Sequence, residues 1–239
     1  MTRAGPLSWR SDAGWLVLGG GGRWELGETG PVDGAALGWA DTDRPMAVLL
    51  TAGGATAEGE DLLEYYADMG GATGYIMPIF TAADAQQAEN CRLLVQAGLV
   101  YIADGPEPLR LVRALRDSPA LEALATAFED GAAIVTQGMA TTALGAWLAA
   151  SQGPEPWERG LEWVPDVVIE PDFSTASSAT RLRNLLAAHP ECLGLGIPKS
   201  SALALGPDGR VETVGEGRVT VVVGQLAVQA QADTDSDTE

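Results

Sequence analysis

The apolar positions of this chain fall into short continuous runs separated by longer amphipathic stretches. "GWLVL" (14–18), "MAVLLT" (46–51), "GYIMPI" (74–79), "LVYIA" (99–103) and "AAIVT" (132–136) have the length of strands, and their lack of polar alternation predicts burial on both faces. Between them, residues 58–68, 84–97, 106–116 and 121–129 carry apolar residues at helical spacing, with acidic or proline starts. Strands alternating with helices predict an α/β fold, a doubly wound αβα sandwich with a mainly parallel sheet and "AAIV" at its centre.

Beyond residue 136 the spacing predicts a helix over 139–149, a loop at "GPEPW", a strand at "VPDVVIE" and a helix over about 177–188. "LGLGI", "ALALG", "RVETV" and "RVTVVV" follow, parted by Gly-Pro-Asp-Gly and Gly-Glu-Gly turns. They predict a β-rich end with hairpins near the C-terminus. Residues 1–230 are thus expected to form a single domain, and "QADTDSDTE" (231–239) a disordered acidic tail.

Composition narrows the chemistry. The 33 acidic residues against 14 basic ones give a net charge of −19, which repels nucleic acid and anionic membrane surfaces. No apolar run approaches the roughly 20 residues of a membrane span, and "MTRAGPLSWRSDAG" lacks an apolar signal core, so a cytoplasmic location is expected. Lys199 and His189 are the only residues of their kinds, leaving one candidate each for a Schiff base or an imidazole base. His189, between a helix and a proline, is expected to cap carbonyls or face solvent. Cys91 and Cys192 lie far apart without CxxC spacing; they are read as reduced, mostly buried thiols, with no metal site and no cofactor implied.

In open α/β sheets, ligands sit beyond the carboxyl ends of the strands. The turns after Leu18, Ala103 and Thr136 therefore outline one pocket. The first, "LVLGGGGRWELGETG", has neither the G-x-G-x-x-G register nor a following GK[ST], and reads as a tight turn and surface loop. The third, in "IVTQGMATTALG" (134–145), has the strand-turn-helix layout of a nucleophile elbow, but the turn carries Gly138 and so no side chain. Thr136, Thr141 and Thr142 beside it read as caps or helix-face residues.

These stretches resemble the cyanophycinase and aspartyl dipeptidase (peptidase E) group of serine peptidases, whose elbow reads G-T-S-A-G-A. "TQGMAT" (136–141) stands in that place, with Gly138 at the serine position. The group's D-x-H-F-x-x-R-x-R-x-x-R-L signature corresponds to "EPDFSTASSATRL" (170–182). Phe173, Arg181 and Leu182 match; Asp172 takes the histidine position, and Ala176 and Ser178 take two arginine positions. "GLGIPKSSAL" (194–203) resembles G-x-G-I-D-E-x-T-A-L, with Pro198 and Lys199 where two acids are usual. "LVYIADGPEPLRLV" carries Asp104-Gly105 in place of a Gly-Gly pair.

The resemblance implies a flavodoxin-like fold of the class I glutamine-amidotransferase type and a homodimer. It also implies a cleft formed by Gly20, Gly21, Asp104, Gly105, Thr136, Gln137, Met139, Glu170 and Arg181. No catalytic residue is intact: Gly138 offers no nucleophile, and Asp172 is a poor base for an alcohol. The expected role is binding or assembly, with a small-molecule or peptide ligand. The alternative is an active hydrolase of acidic peptides with Thr136, Thr141 or Ser174 as a shifted nucleophile, and Asp172 or Glu170 as its partner.

Overall fold

A computed structural model describes residues 2–5, 7–10, 13–150 and 156–224. The chain opens with the hairpin β1 (Thr2–Ala4) and β2 (Leu7–Trp9), followed by β3 (Trp15–Gly19), α1 (Gly30–Trp39), β4 (Met46–Leu49), α2 (Thr56–Asp68) and β5 (Gly74–Ile76). Next come α3 (Ala88–Gln96), β6 (Leu99–Ile102), α4 (Pro108–Leu115), α5 (Pro119–Glu129) and β7 (Ala133–Thr136). The remainder is β8 (Trp147–Ala149), β9 (Trp157–Arg159), β10 (Val167–Pro171), α6 (Ala176–Ala188), β11 (Leu193–Ile197), β12 (Ser201–Leu205), β13 (Val211–Gly215) and β14 (Thr220–Val223).

The main sheet has seven strands in the order β13-β12-β3-β7-β6-β4-β5. The run from β3 to β5 is parallel, while β12 pairs antiparallel with both β3 and β13. Its two faces explain the unalternating runs. Leu16, Leu18, Leu49, Ile102 and Ile134 pack toward Leu94, Leu111, Leu124 and Phe128 of the helices α3 to α5. Their neighbours Val17, Val48, Tyr101 and Val135 pack toward Val32, Leu62 and Tyr66 of α1 and α2. Every position of β7 is fully buried, as a central strand between β3 and β6 requires.

Three expectations need correction, and one feature is added. Added to the main sheet is a second, five-stranded one, β14-β11-β10-β8-β9, covered by α6. The hairpin β12–β13 forms, but the last valine-rich run crosses to pair with β11. Residues 139–149 are not a helix. Gly138–Leu144 is a 3-10 turn, because Thr141 Oγ1 donates to Gly19 O (2.8 Å) and Thr142 Oγ1 to Met139 O (2.8 Å), tying the segment to the end of β3. The chain then leaves extended through Gly145, where a Cβ would stand 2.6 Å from Val167 O, and enters the second sheet as β8.

The segment 84–97 divides at Gln87, whose backbone is extended, into a 3-10 turn (Asp84–Gln86) and α3. Helix α1 was not signalled by the pattern, since three of its ten residues are glycine, the poorest helix former after proline. Residues 231–239 lie outside the described residues. Among the described residues, no helix is long and apolar enough to cross a membrane.

Candidate functional site

The carboxyl ends of β3, β6, β7 and β10 converge on a cleft of about 430 Å³. Gly20, Gly21 and Gly22 line it after β3, Asp104 after β6, Gly138 and Met139 after β7, and Pro171 and Asp172 at β10; Arg23, Glu28, Arg181 and Lys199 complete it. The glycine turn is the floor of this cleft, not a plain surface loop. Asp172 N–H donates to Gly20 O (3.0 Å), Gly20 N–H to Ser201 O (2.9 Å) and Ser200 N–H to Gly21 O (2.8 Å), so its backbone stitches the two sheets together. A Cβ on Gly20 would collide with the carbonyl oxygen of Pro198, which restricts this position to glycine.

At the centre of the cleft lies Gly138, with φ +54°. A Cβ there would stand 2.5 Å from Asp104 Oδ1 and closer still to Oδ2. The Asp104 carboxylate thus fills the space that a side chain at position 138 would enter. Its Oδ1 accepts the N–H of Met139 (2.7 Å), the first donor after the elbow, and that of Gly105 (2.8 Å). Although Asp104 borders solvent, its carboxylate is seated against the Gly138 backbone. That partial burial raises its pKa, opposed by the N–H groups of Met139, Gly105 and Ala140 and by Lys199.

Asp172 adopts φ +49°, turning back above Gly20. Its Oδ2 lies 3.4 Å from Lys199 Nζ, and its Oδ1 accepts from Ser174 Oγ at 3.4 Å. Glu170 is buried on β10 and takes both Nε (2.7 Å) and an Nη of Arg181 from α6. Burial raises its pKa; Arg181 opposes the shift and Asp172 adds to it.

The remaining residues singled out from sequence scatter around this centre. Thr136 and Thr141 are fully buried, and their hydroxyls donate to the carbonyls of Val17 and Gly19. Gly105 lies against the Ala52 carbonyl and contributes its N–H to Asp104. Gln137 lines an adjoining cavity of about 180 Å³, with both amide atoms buried and unpartnered. Glu170 and Arg181 border another on the opposite side.

His189 neither faces solvent nor approaches the cleft: it stacks on Trp147 at 4.1 Å beside Trp157. Its backbone N–H does close α6 onto Leu185 O. Arg23, Glu28 and Lys199 were missed as cleft residues. Only the uniqueness of Lys199, set in a segment resembling a family motif, could have marked one of them.

No protein-family model matches the chain. Among known proteins it is similar to a cyanophycinase of Synechococcus elongatus, 29% identical over 168 residues that cover 66% of this chain and 52% of the relative. A cyanophycinase of Geminocystis herdmanii is 24% identical over 179 residues, covering 71% and 65%. The chain spans about half the length of the first of these, and under two thirds of the second.

Two solved structures share the architecture. A peptidase from an acI-B1 actinobacterium superposes with a TM-score of 0.68 at 20% identity, covering 90% of this chain and 93% of that one. A putative peptidase E protein from Listeria monocytogenes EGD-e superposes at 0.59 and 12% identity, covering 85% and 99%. The fold is that of the peptidase E class. In sequence, the chain is similar to the cyanophycinases.

Proposed function

We propose that this protein is a catalytically silent member of its group that keeps the cleft as a binding site for a small-molecule or peptide ligand. One observation carries the reading: the Asp104 carboxylate stands where the side chain of a nucleophile would project from position 138, and it holds the Met139 N–H. Acyl transfer through a serine needs a hydroxyl, a base of near-neutral pKa and free donors for the oxyanion. Here the hydroxyl is missing, the base position holds Asp172 paired with Lys199, and a donor is occupied by an anion of the protein itself. A homodimer and a cytoplasmic location belong to the same reading.

Purified protein should hydrolyse neither aspartyl dipeptides nor cyanophycin-like polymer above background, and should not be labelled by a serine-directed fluorophosphonate. One observation favours a second reading. Ser174 is exposed and donates to Asp172, which faces Lys199, a hydroxyl-carboxylate-ammonium row at the cleft edge. Turnover abolished by Ser174→Ala would replace the silent reading with this one. Thr136 and Thr141 are less suited, since their hydroxyls are spent on buried carbonyls.

A further inference from the structure

Beside the cleft lies a smaller apolar pocket of about 160 Å³, open at one side and walled by Pro108, Met139, Leu148, Trp157, Ile169 and Leu185. Of the polar side chains on its wall, Thr142, Glu170 and Arg181 have partners, and the amide of Asn184 lies at the exposed rim. Thr142 Oγ1 donates to Met139 O (2.8 Å), and Arg181 is held by Glu170. A cavity with few free donors or acceptors holds water poorly and suits an apolar group.

Met139 and Arg181 line both this cavity and the cleft, so one occupant can extend from one into the other. Met139 is 44% exposed, and its unbranched, polarizable thioether can adjust to what lies beside it. On the cleft side, Lys199 faces Asp172 and Arg181 is paired with Glu170. Arg23 is the cleft cation whose guanidinium has no partner among the described residues.

We infer that cleft and cavity together bind a small amphipathic carboxylate: a short peptide or amino-acid derivative with a branched aliphatic side chain. The side chain enters the apolar cavity, and the carboxylate lies in the cleft against Arg23. This deepens the binding role and rests on it. It also departs from an acidic side chain as the recognised group, because Glu170 already claims the arginine that the family signature retains at position 181.

The test uses two acids with no hydrolysable bond, so the outcome is independent of whether the protein catalyses anything. The full chain is titrated with 4-methylpentanoate and with succinate, followed by calorimetry and saturation-transfer NMR. 4-Methylpentanoate should bind saturably and about tenfold or more tightly than succinate, the return on burying a leucine-like side chain. Ala149→Trp, at an exposed position on the cavity edge, should abolish that preference. Asn184→Trp, exposed on α6 at the same cavity, serves if the first variant does not fold. Arg23→Ala should weaken both acids by about tenfold through loss of a charge-assisted contact. The inference is overturned if succinate binds as well as 4-methylpentanoate. It is also overturned if a folded tryptophan variant leaves the preference unchanged, or if neither acid binds at millimolar concentration.

Discussion

Gly138 and Asp104 are alternatives for one volume. The backbone at 138 is left-handed, which an L side chain enters at a cost, and the volume its Cβ would take is filled by a carboxylate. Gly138→Ser should therefore lower stability by about 1–3 kcal/mol, read as a shifted urea midpoint, and Asp104→Gly in the same chain should recover part of it. Fluorophosphonate labelling should appear only when Asp172→His joins both changes, since a serine without an imidazole keeps the weak nucleophilicity of an alcohol. Labelling of Gly138→Ser alone would contradict this account.

A second buried carboxyl gives a pH signature. Asp33 is fully buried and accepts from Thr29 (2.6 Å), Tyr66 (2.7 Å) and Tyr65 (3.2 Å), with no cation paired to it among the described residues. Burial raises its pKa and outweighs those hydroxyls. A carboxyl whose folded pKa lies above its unfolded value binds its proton more tightly in the folded state. Its contribution is complete below the ordinary carboxylate range and is lost as pH rises through the folded value. Asp33→Asn cannot ionise, so its stability relative to the native chain should improve from roughly pH 4 to pH 8 in paired urea titrations. A constant difference would mean that Asp33 titrates normally.

At the scale of elements, β10 and β11 fix the position of Asp172 through one aromatic contact. Phe173 lies across Gly196, where a Cβ would stand 2.5 Å from the ring, and its N–H donates to Ile197 O (3.1 Å). Gly196→Ala must push the ring away and should cost about 1–3 kcal/mol, as overpacking does. Phe173→Leu in the same chain should return part of that loss, and the non-additivity of the two changes measures the contact. The strands were readable at this scale because burial on both faces leaves an unbroken apolar run. The segment 139–149 was not, because its threonine hydroxyls bond backbone groups instead of leaving them to a helix, and β8 exists only through its partners β9 and β10.

For the whole molecule, the expected assembly is a homodimer, and light scattering at micromolar concentration should return twice the chain mass; a monomer there would end that expectation. Of the tryptophans, Trp9, Trp15 and Trp163 are buried, and Trp24, Trp39, Trp147 and Trp157 are partly exposed. Among the described residues, the exposed large apolar side chains are Leu26, Phe80, Met139, Val211, Val221 and Val223, the last two on the edge strand β14.

By itself the sequence determined the α/β class, the central place of β7, the strand ends that border the cleft and the absence of a hydroxyl at position 138. Each is a local property: a run of apolar residues, a turn after a strand, the identity of one residue. Tertiary structure alone decided the second sheet, the stacking of His189 on Trp147 and the carboxylate of Asp104 above Gly138, the last reaching Met139 across 35 positions of chain. Contacts of that kind arise where loops meet, and a single chain read in order carries no periodicity that records them.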